Sequence, residues 1–131
     1  MNILFDTNPL IYFLNKQLPP EGERLVLRGM HGGAAAYSVI TRIEVLGYPS
    51  PPGKIEAARH LLDSMTEIGL SESILEQTIV LRQKYRRLKL PDAIIAATAM
   101  VFTLPVLTRN VGDFGAIVGL RVMDPFVDVL M

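Results

Sequence analysis

The sequence predicts an α/β fold in which a central parallel β-sheet is flanked by α-helices. Three observations carry that expectation. Short runs of strand length (Ile3–Phe5, Ala34–Tyr37, Thr66–Ile68, Val106–Leu107 and Arg121–Met123) alternate with segments of helical apolar spacing. The runs end at polar residues suited to helix starts or turns, as at Asp6, Ser38 and Thr108. The chain of 131 residues is 50% apolar and 20% charged, enough for one well-filled core and too apolar for a disordered chain. Residues 1–131 are read as one domain, without internal repeat, linker or low-complexity segment.

Along the chain, the strand Ile3-Leu4-Phe5 leads into Asp6-Thr7-Asn8-Pro9, where Thr7 or Asn8 can cap a helix running through Leu14 and Pro9 suits its first turn. Glu21–Met30 reads as a helix broken by Gly32-Gly33. The strand Ala34–Tyr37 ends at Ser38, a cap for a helix over about Val39–Leu46 that buries Val39, Ile43 and Leu46. Gly47, Pro49, Pro51 and Pro52 stop it. Lys54–Met65 is helical by the spacing of Ile55, Ala58, Leu61 and Leu62. After Thr66–Ile68, Ser73 and Glu76 match a capping box opening a long helix to Leu88, with Ile74, Leu75, Thr78, Leu81, Tyr85 and Leu88 as its apolar stripe. Pro91 starts a helix rich in small residues (Ala93, Ala96, Ala97, Ala99), a composition that lets backbone approach a sheet closely. The apolar stretch from Ala93 to Leu107 falls short of the roughly 20 residues of a membrane-spanning helix and reads as a buried helix running into a strand.

Charge and composition narrow the function. Lys plus Arg and Asp plus Glu both total 13, and the sequence pI is near 6.7, so the chain does not coat nucleic acid by bulk charge. A polyanionic partner must be gripped locally. The absence of cysteine excludes disulfide scaffolds, thiolate metal sites and cysteine nucleophiles, and points to a reducing compartment. The first residues lack a cationic segment and meet Asp6 after a short apolar run, so a cytoplasmic chain without a signal peptide or membrane association is expected. A mean hydropathy of +0.32 fits a filled core or an apolar association surface.

Ligands of open parallel sheets bind beyond the carboxyl ends of the strands. Asp6 follows the first strand, Asp113 lies shortly after Thr108, and Asp92 opens a helix. Glu44, on the same helical side as Thr41, can lean back toward that edge. Taken singly, Asp6 and Asp92 suit helix N-termini, Asp113 a turn and Glu44 a solvated helix flank. Together, four carboxylates in one crevice repel one another, and oxygen-only ligands favour Mg²⁺ or Mn²⁺.

These residues carry a family resemblance. Asp6-Thr7-Asn8-Pro9-Leu10-Ile11, Ser38 to Glu44, Leu90-Pro91-Asp92 to Ala99, and Thr108-Arg109-Asn110-Val111-Gly112-Asp113-Phe114 resemble, in order, the four signature segments of PIN-domain nucleases, and Gly119 to Phe126 resembles the family's last strand. The arrangement is most similar to VapC toxin ribonucleases of VapBC toxin–antitoxin pairs. The resemblance implies a PIN-like fold and a metal-dependent endoribonuclease. Asp6, Glu44, Asp92 and Asp113 would be its catalytic residues, holding Mg²⁺ or Mn²⁺ directly or through water. Water would attack the scissile phosphorus and leave a 5′-phosphate and a 3′-hydroxyl. Thr7, Asn8, Thr108 and Asn110 would orient carboxylates or bind substrate, and either Asn110 or Asp113 would complete the site. A cognate antitoxin and a homodimer are the implied protein partners.

Arg82, Lys84, Arg86, Arg87 and Lys89 form a basic run just before Asp92. A solvated helix face accounts for such a run as readily as binding does. Arg86, Arg87 and Lys89, with Arg109 beside the last acidic segment, are the candidates for the RNA backbone track. His31 and His60 read as surface or structural residues, since a histidine-driven ribonuclease needs an acid and a base held together. A covalent aspartyl phosphatase requires a second Asp where Asn8 stands. The remaining alternatives are an RNA-processing PIN nuclease without an antitoxin and a non-catalytic RNA-binding module.

Overall fold

A computed structural model describes residues 1–127. The strands β1 (Ile3–Phe5), β2 (Ala35–Ser38), β3 (Thr66–Ile68), β4 (Val106–Leu107) and β5 (Val122–Met123) pair in parallel in the order β3-β2-β1-β4-β5. The helices are α1 (Thr7–Leu14), α2 (Pro20–Gly29), α3 (Val39–Gly47), α4 (Pro52–Asp63), α5 (Glu72–Lys84), α6 (Leu90–Phe102) and α7 (Val111–Gly115). Among the described residues, no helix is long and apolar enough to cross a membrane.

The central strand sorts its side chains by the alternation of extended chain. Leu4 joins the core beneath α5 and α6, with Ile74, Leu81, Ile95 and Phe114. Ile3 and Phe5 join the opposite core, with Leu10, Val26, Leu61 and Leu62 from α1, α2 and α4. A strand buried on both faces reads as an uninterrupted apolar run, as Ile3-Leu4-Phe5 does. Helix α6 is enclosed from Ala93 to Ala99, and its alanines bring its backbone close to its neighbours. The buried Thr98 hydroxyl is satisfied within the helix by donating to the Ile94 carbonyl at 2.7 Å.

Register then sets the functional edge. Phe5 pairs with Tyr37 on one side and with Leu107 on the other. The next residues, Asp6, Ser38 and Thr108, therefore lie side by side at the carboxyl edge of the sheet, Ser38 as the last residue of β2. The strand order reverses direction between β1 and β4, the topological switch point where open α/β sheets bind ligands.

Several local expectations change. Neither Thr7 nor Asn8 caps α1; Asp6 occupies the N-cap position without a side-chain cap bond, and the Thr7 and Asn8 side chains bond across the carboxyl edge instead. Ile43 is 62% exposed, because α3 turns Thr41 inward and Ile43 away from the core. Helix α5 is capped by Ser71, whose hydroxyl oxygen accepts from the Ile74 amide at 3.2 Å, so Ser73 is not its cap. It ends at Lys84, short of Leu88, because Tyr85 turns extended. Leu88 is buried all the same, and Arg82 donates to its carbonyl at 2.8 Å. Leu75 points outward, 41% exposed.

Candidate active site at the carboxyl edge of the sheet

Asp6 is almost fully buried, its amide donating to Leu107 of β4 at 2.9 Å. Across the switch point the buried Thr108 hydroxyl donates to Asp6 Oδ2 at 2.7 Å, and its oxygen accepts the Asn110 amide at 2.9 Å. That pair of bonds fixes the rotation of the Asp6 carboxyl and the start of the turn after β4. On the other side, Thr7 Oγ1 donates to Glu44 Oε1 at 2.7 Å and lies 3.1 Å from Thr41 Oγ1. A hydroxyl has one proton to give, so Thr41 donates to Thr7 and Thr7 to Glu44. This buried relay leans the Glu44 side chain back toward the start of α1. Thr41 entered the sequence reading only as a spacing marker, although a threonine one turn before a candidate acid is the pattern that seats such a relay.

Asp92 lies in the first turn of α6, one residue after Pro91 and three after the N-cap Lys89. Its carboxyl is pushed up to about 6, first by burial and then by the negative charges of Asp6, Asp113 and Glu44, with Lys89 pulling the other way. Burial likewise raises Asp6, against the Thr108 hydroxyl and the Thr7 amide, which favour its ionised form. The four acids thus share one electrostatic neighbourhood. Asp113, in α7, is exposed, and its Oδ2 accepts from Asn110 Nδ2 at 3.0 Å. Asn110 and Asp113 therefore face the site as a bonded pair.

The donor set fits a hard divalent cation. It offers oxygen ligands only, and among the described residues no salt bridge neutralises Asp6, Glu44, Asp92 or Asp113. Among those residues, too, no three His, Cys, Asp or Glu side chains converge closely enough to hold a metal directly. Mg²⁺ commonly keeps several waters and uses one or two carboxylates, so a loose acidic ring suits it better than a tight cage suits it.

The cations lie around this edge. Arg86, Arg87 and Lys89 are exposed on the turn between α5 and α6, and the Tyr85 hydroxyl within that turn accepts the Val118 amide at 3.0 Å. Arg109 is held at both ends. Its amide donates to Asn8 Oδ1 at 3.1 Å, while its guanidinium donates to Asp124 Oδ2 at 3.0 Å and stacks 4.2 Å over the Phe126 ring. Asp124 is buried and had no assigned role in the sequence reading; as an acid directly after a strand it has the same local signature as Asp6. His31 and His60 are exposed and take no part in the site. Away from the acids, an apolar groove of about 420 Å³ runs between α1, α3 and α4, lined by Ile11, Leu14, Val45, Tyr48 and Ile55, with Lys54 alongside.

A parallel α/β sheet with four electrostatically coupled acids about its switch point defines a class of protein. A PIN-domain family model matches residues 3–117, and the chain belongs to that family. The PIN-like fold expected from the four acidic segments is the fold observed. No curated protein matches the chain. Among solved structures, a toxin–antitoxin complex from Klebsiella pneumoniae contains a chain 36% identical, with a TM-score of 0.77 and coverage of 95% of this chain and 98% of that one. DNA-bound VapBC from Salmonella typhimurium superposes with a TM-score of 0.82 at 20% identity, again covering 95% and 98%. VapBC2 from Rickettsia felis, bound to a DNA fragment from their promoter, gives 0.77 at 22% identity with the same coverage. At those two lower identities the likeness is one of fold.

Proposed function

We propose that this protein is a metal-dependent endoribonuclease and the toxin of a VapBC-type toxin–antitoxin pair. One observation carries the reading: Asp6, Glu44, Asp92 and Asp113 meet electrostatically at the sheet's switch point, where burial first and the three neighbouring acids second push Asp92 up to about 6. The 36% identity to a chain of a toxin–antitoxin complex supports the biological setting.

In this reading, Asp6, Glu44, Asp92 and Asp113 hold Mg²⁺ or Mn²⁺, directly or through water. When bound, the cation lowers the pKa of water and neutralises charge on phosphate oxygens. The chain's own contribution is orientation. Thr108 sets the Asp6 carboxyl, the Thr41–Thr7 relay sets Glu44, and Asn110 sets Asp113. Arg86, Arg87 and Lys89 track the RNA backbone, and water as nucleophile leaves a 5′-phosphate and a 3′-hydroxyl. The apolar groove between α1, α3 and α4 offers a seat for an apolar segment of the cognate antitoxin. The exposed Leu75, Ile79, Val101 and Phe102 supply apolar surface for a homodimer in the cytoplasm.

The test is RNA cleavage under metal control. Cleavage should require added Mg²⁺ or Mn²⁺ and yield 5′-phosphate ends, and Asp6→Asn or Asp92→Asn should abolish it while the circular dichroism spectrum stays native. Full cleavage by either variant, or in excess chelator, refutes the metal site.

A further inference from the structure

Arg109 sits between the two residues that orient the acids on the β4 side, Thr108 and Asn110, yet its own side chain points away into a polar and aromatic clasp. The clasp has a rigid floor. Asp124 is buried; its Oδ1 accepts the Phe126 amide at 2.8 Å and its Oδ2 accepts from the Arg109 guanidinium at 3.0 Å. Phe126, under the guanidinium, packs edge-on against Tyr12 of α1, with ring centroids 5.4 Å apart at 77°. Gly22 of α2 lies so close to this turn that a Cβ there would stand 2.5 Å from the Pro125 carbonyl oxygen. The turn from Asp124 to Phe126 is therefore anchored on α1 and α2 before it meets Arg109.

We propose that Arg109 is a positioning residue and not an RNA contact: anchored to Asp124 and Phe126 by its guanidinium and to Asn8 by its amide, it holds the β4–α7 turn so that Thr108 and Asn110 keep Asp6 and Asp113 aimed at the cation site. This rests on the metal-site reading above. The Arg109 side chain is 44% exposed, yet it is stacked on a ring and bonded to a buried acid, and the planar stack is one that lysine does not reproduce. The path from clasp to carboxylate is short and covalent on one side. Moving Arg109 moves the Thr108 hydroxyl, which donates to Asp6 and accepts the Asn110 backbone amide, and with that backbone the Asn110 side chain, whose Nδ2 donates to Asp113.

The test compares Arg109→Gln, Asp124→Asn and the double variant. Three readouts are used: Mn²⁺ affinity by calorimetry, the kcat and KM of RNA cleavage, and amide exchange at Asn110 without metal. Loss of a residue that orients metal ligands weakens binding by about tenfold or more. Both single variants should weaken Mn²⁺ by about that factor, lower kcat with little change in KM, and speed Asn110 exchange by about tenfold, with the core amides unchanged. The double variant should lose less than the sum of the two single losses, because both singles break the one Arg109–Asp124 bond. The salt dependence of RNA binding should stay at the wild-type slope in Arg109→Gln. A slope reduced by about one, with Mn²⁺ affinity unchanged, would make Arg109 a phosphate contact and overturn the proposal. Should Asp124→Asn fail to fold, the partly exposed Arg109 still permits the glutamine variant. Should the wild-type protein itself show no Mn²⁺ binding, the metal reading falls, and Asn110 exchange alone decides the clasp: acceleration in Arg109→Gln sustains it and wild-type protection refutes it.

Discussion

Asp92→Asn should stabilise the metal-free protein while destroying its activity. The carboxyl of Asp92 is pushed from 3.8 up to about 6 by burial and by three neighbouring acids. A folded-state pKa above the unfolded value means that the fold resists ionisation. Stability is then unpenalised below the unfolded pKa and is lost as pH rises through about 6. At about 1.4 kcal/mol per pKa unit the gap corresponds to roughly 3 kcal/mol, which solvent screening of this partly exposed group cuts to about 1 to 1.5 kcal/mol. Asparagine carries no such penalty. In chelator at about pH 8 the variant should melt roughly 4 °C above wild type, given the entropy of unfolding of a domain this size. At about pH 3, below the unfolded value, the two curves should converge, since the wild-type carboxyl is then protonated in both states. Calorimetry across that range is the assay, and added Mn²⁺ should raise the wild-type melting temperature while leaving the variant near its own. A variant that melts at or below wild type at about pH 8, or a gap independent of pH, refutes the argument that these acids strain the empty fold.

Other perturbations separate site from scaffold. Thr108→Val removes both the donor to Asp6 and the acceptor for Asn110; it should cost about 1 to 2 kcal/mol in urea denaturation and raise the pH at which cleavage begins, since Asp6 loses a bond that favours its charged form. Neutralising Arg86 and Arg87 together should weaken RNA binding and flatten its salt slope by about two, and an unchanged slope would remove that turn from the RNA track. Gly22→Ala should destabilise by about 1 to 3 kcal/mol, because its Cβ meets the backbone of Pro125 rather than a yielding side chain. Ile43→Thr should stay within about 0.5 kcal/mol of wild type, whereas Leu81→Ala should cost about 2 to 5 kcal/mol.

The last contrast shows where sequence reasoning succeeds and where it stops. A strand buried on both faces declares itself as a continuous apolar run, so β1 and the acid ending it are legible, as is α6 from its proline and alanines. The length of α5 is less so. Tyr85 and Leu88 continue its apolar period, yet they are buried by a turn whose tyrosine hydroxyl takes the Val118 amide, a long-range bond with no local signature. In the short helix α3, Ile43 fits the apolar spacing, but the buried polar partner at Thr7 draws Thr41 inward instead. The candidate acids Asp6, Glu44, Asp92 and Asp113 were visible one by one. Glu44 meets Thr7 through the packing of α3 on α1, and Arg109 meets Asp124 through the register of β4 against β5. Asp6 meets Thr108 through the register of β1 against β4, which no single segment encodes.

That register has a consequence for synthesis. Residues of β1 leave the ribosome well before those of β4, since the Asp6–Thr108 bond spans a separation of 102 residues, and β4 pairs with the opposite flank of β1 from β2. A nascent chain can assemble the β3-β2-β1 half early, but the side of the crevice that bears Thr108, Asn110 and Asp113 does not exist until most of the chain has emerged. On the proposed function, a growing chain tethered beside messenger and ribosomal RNA carries only half a cutting edge. Topology alone postpones the hazard until β4 and the turn after it have been made.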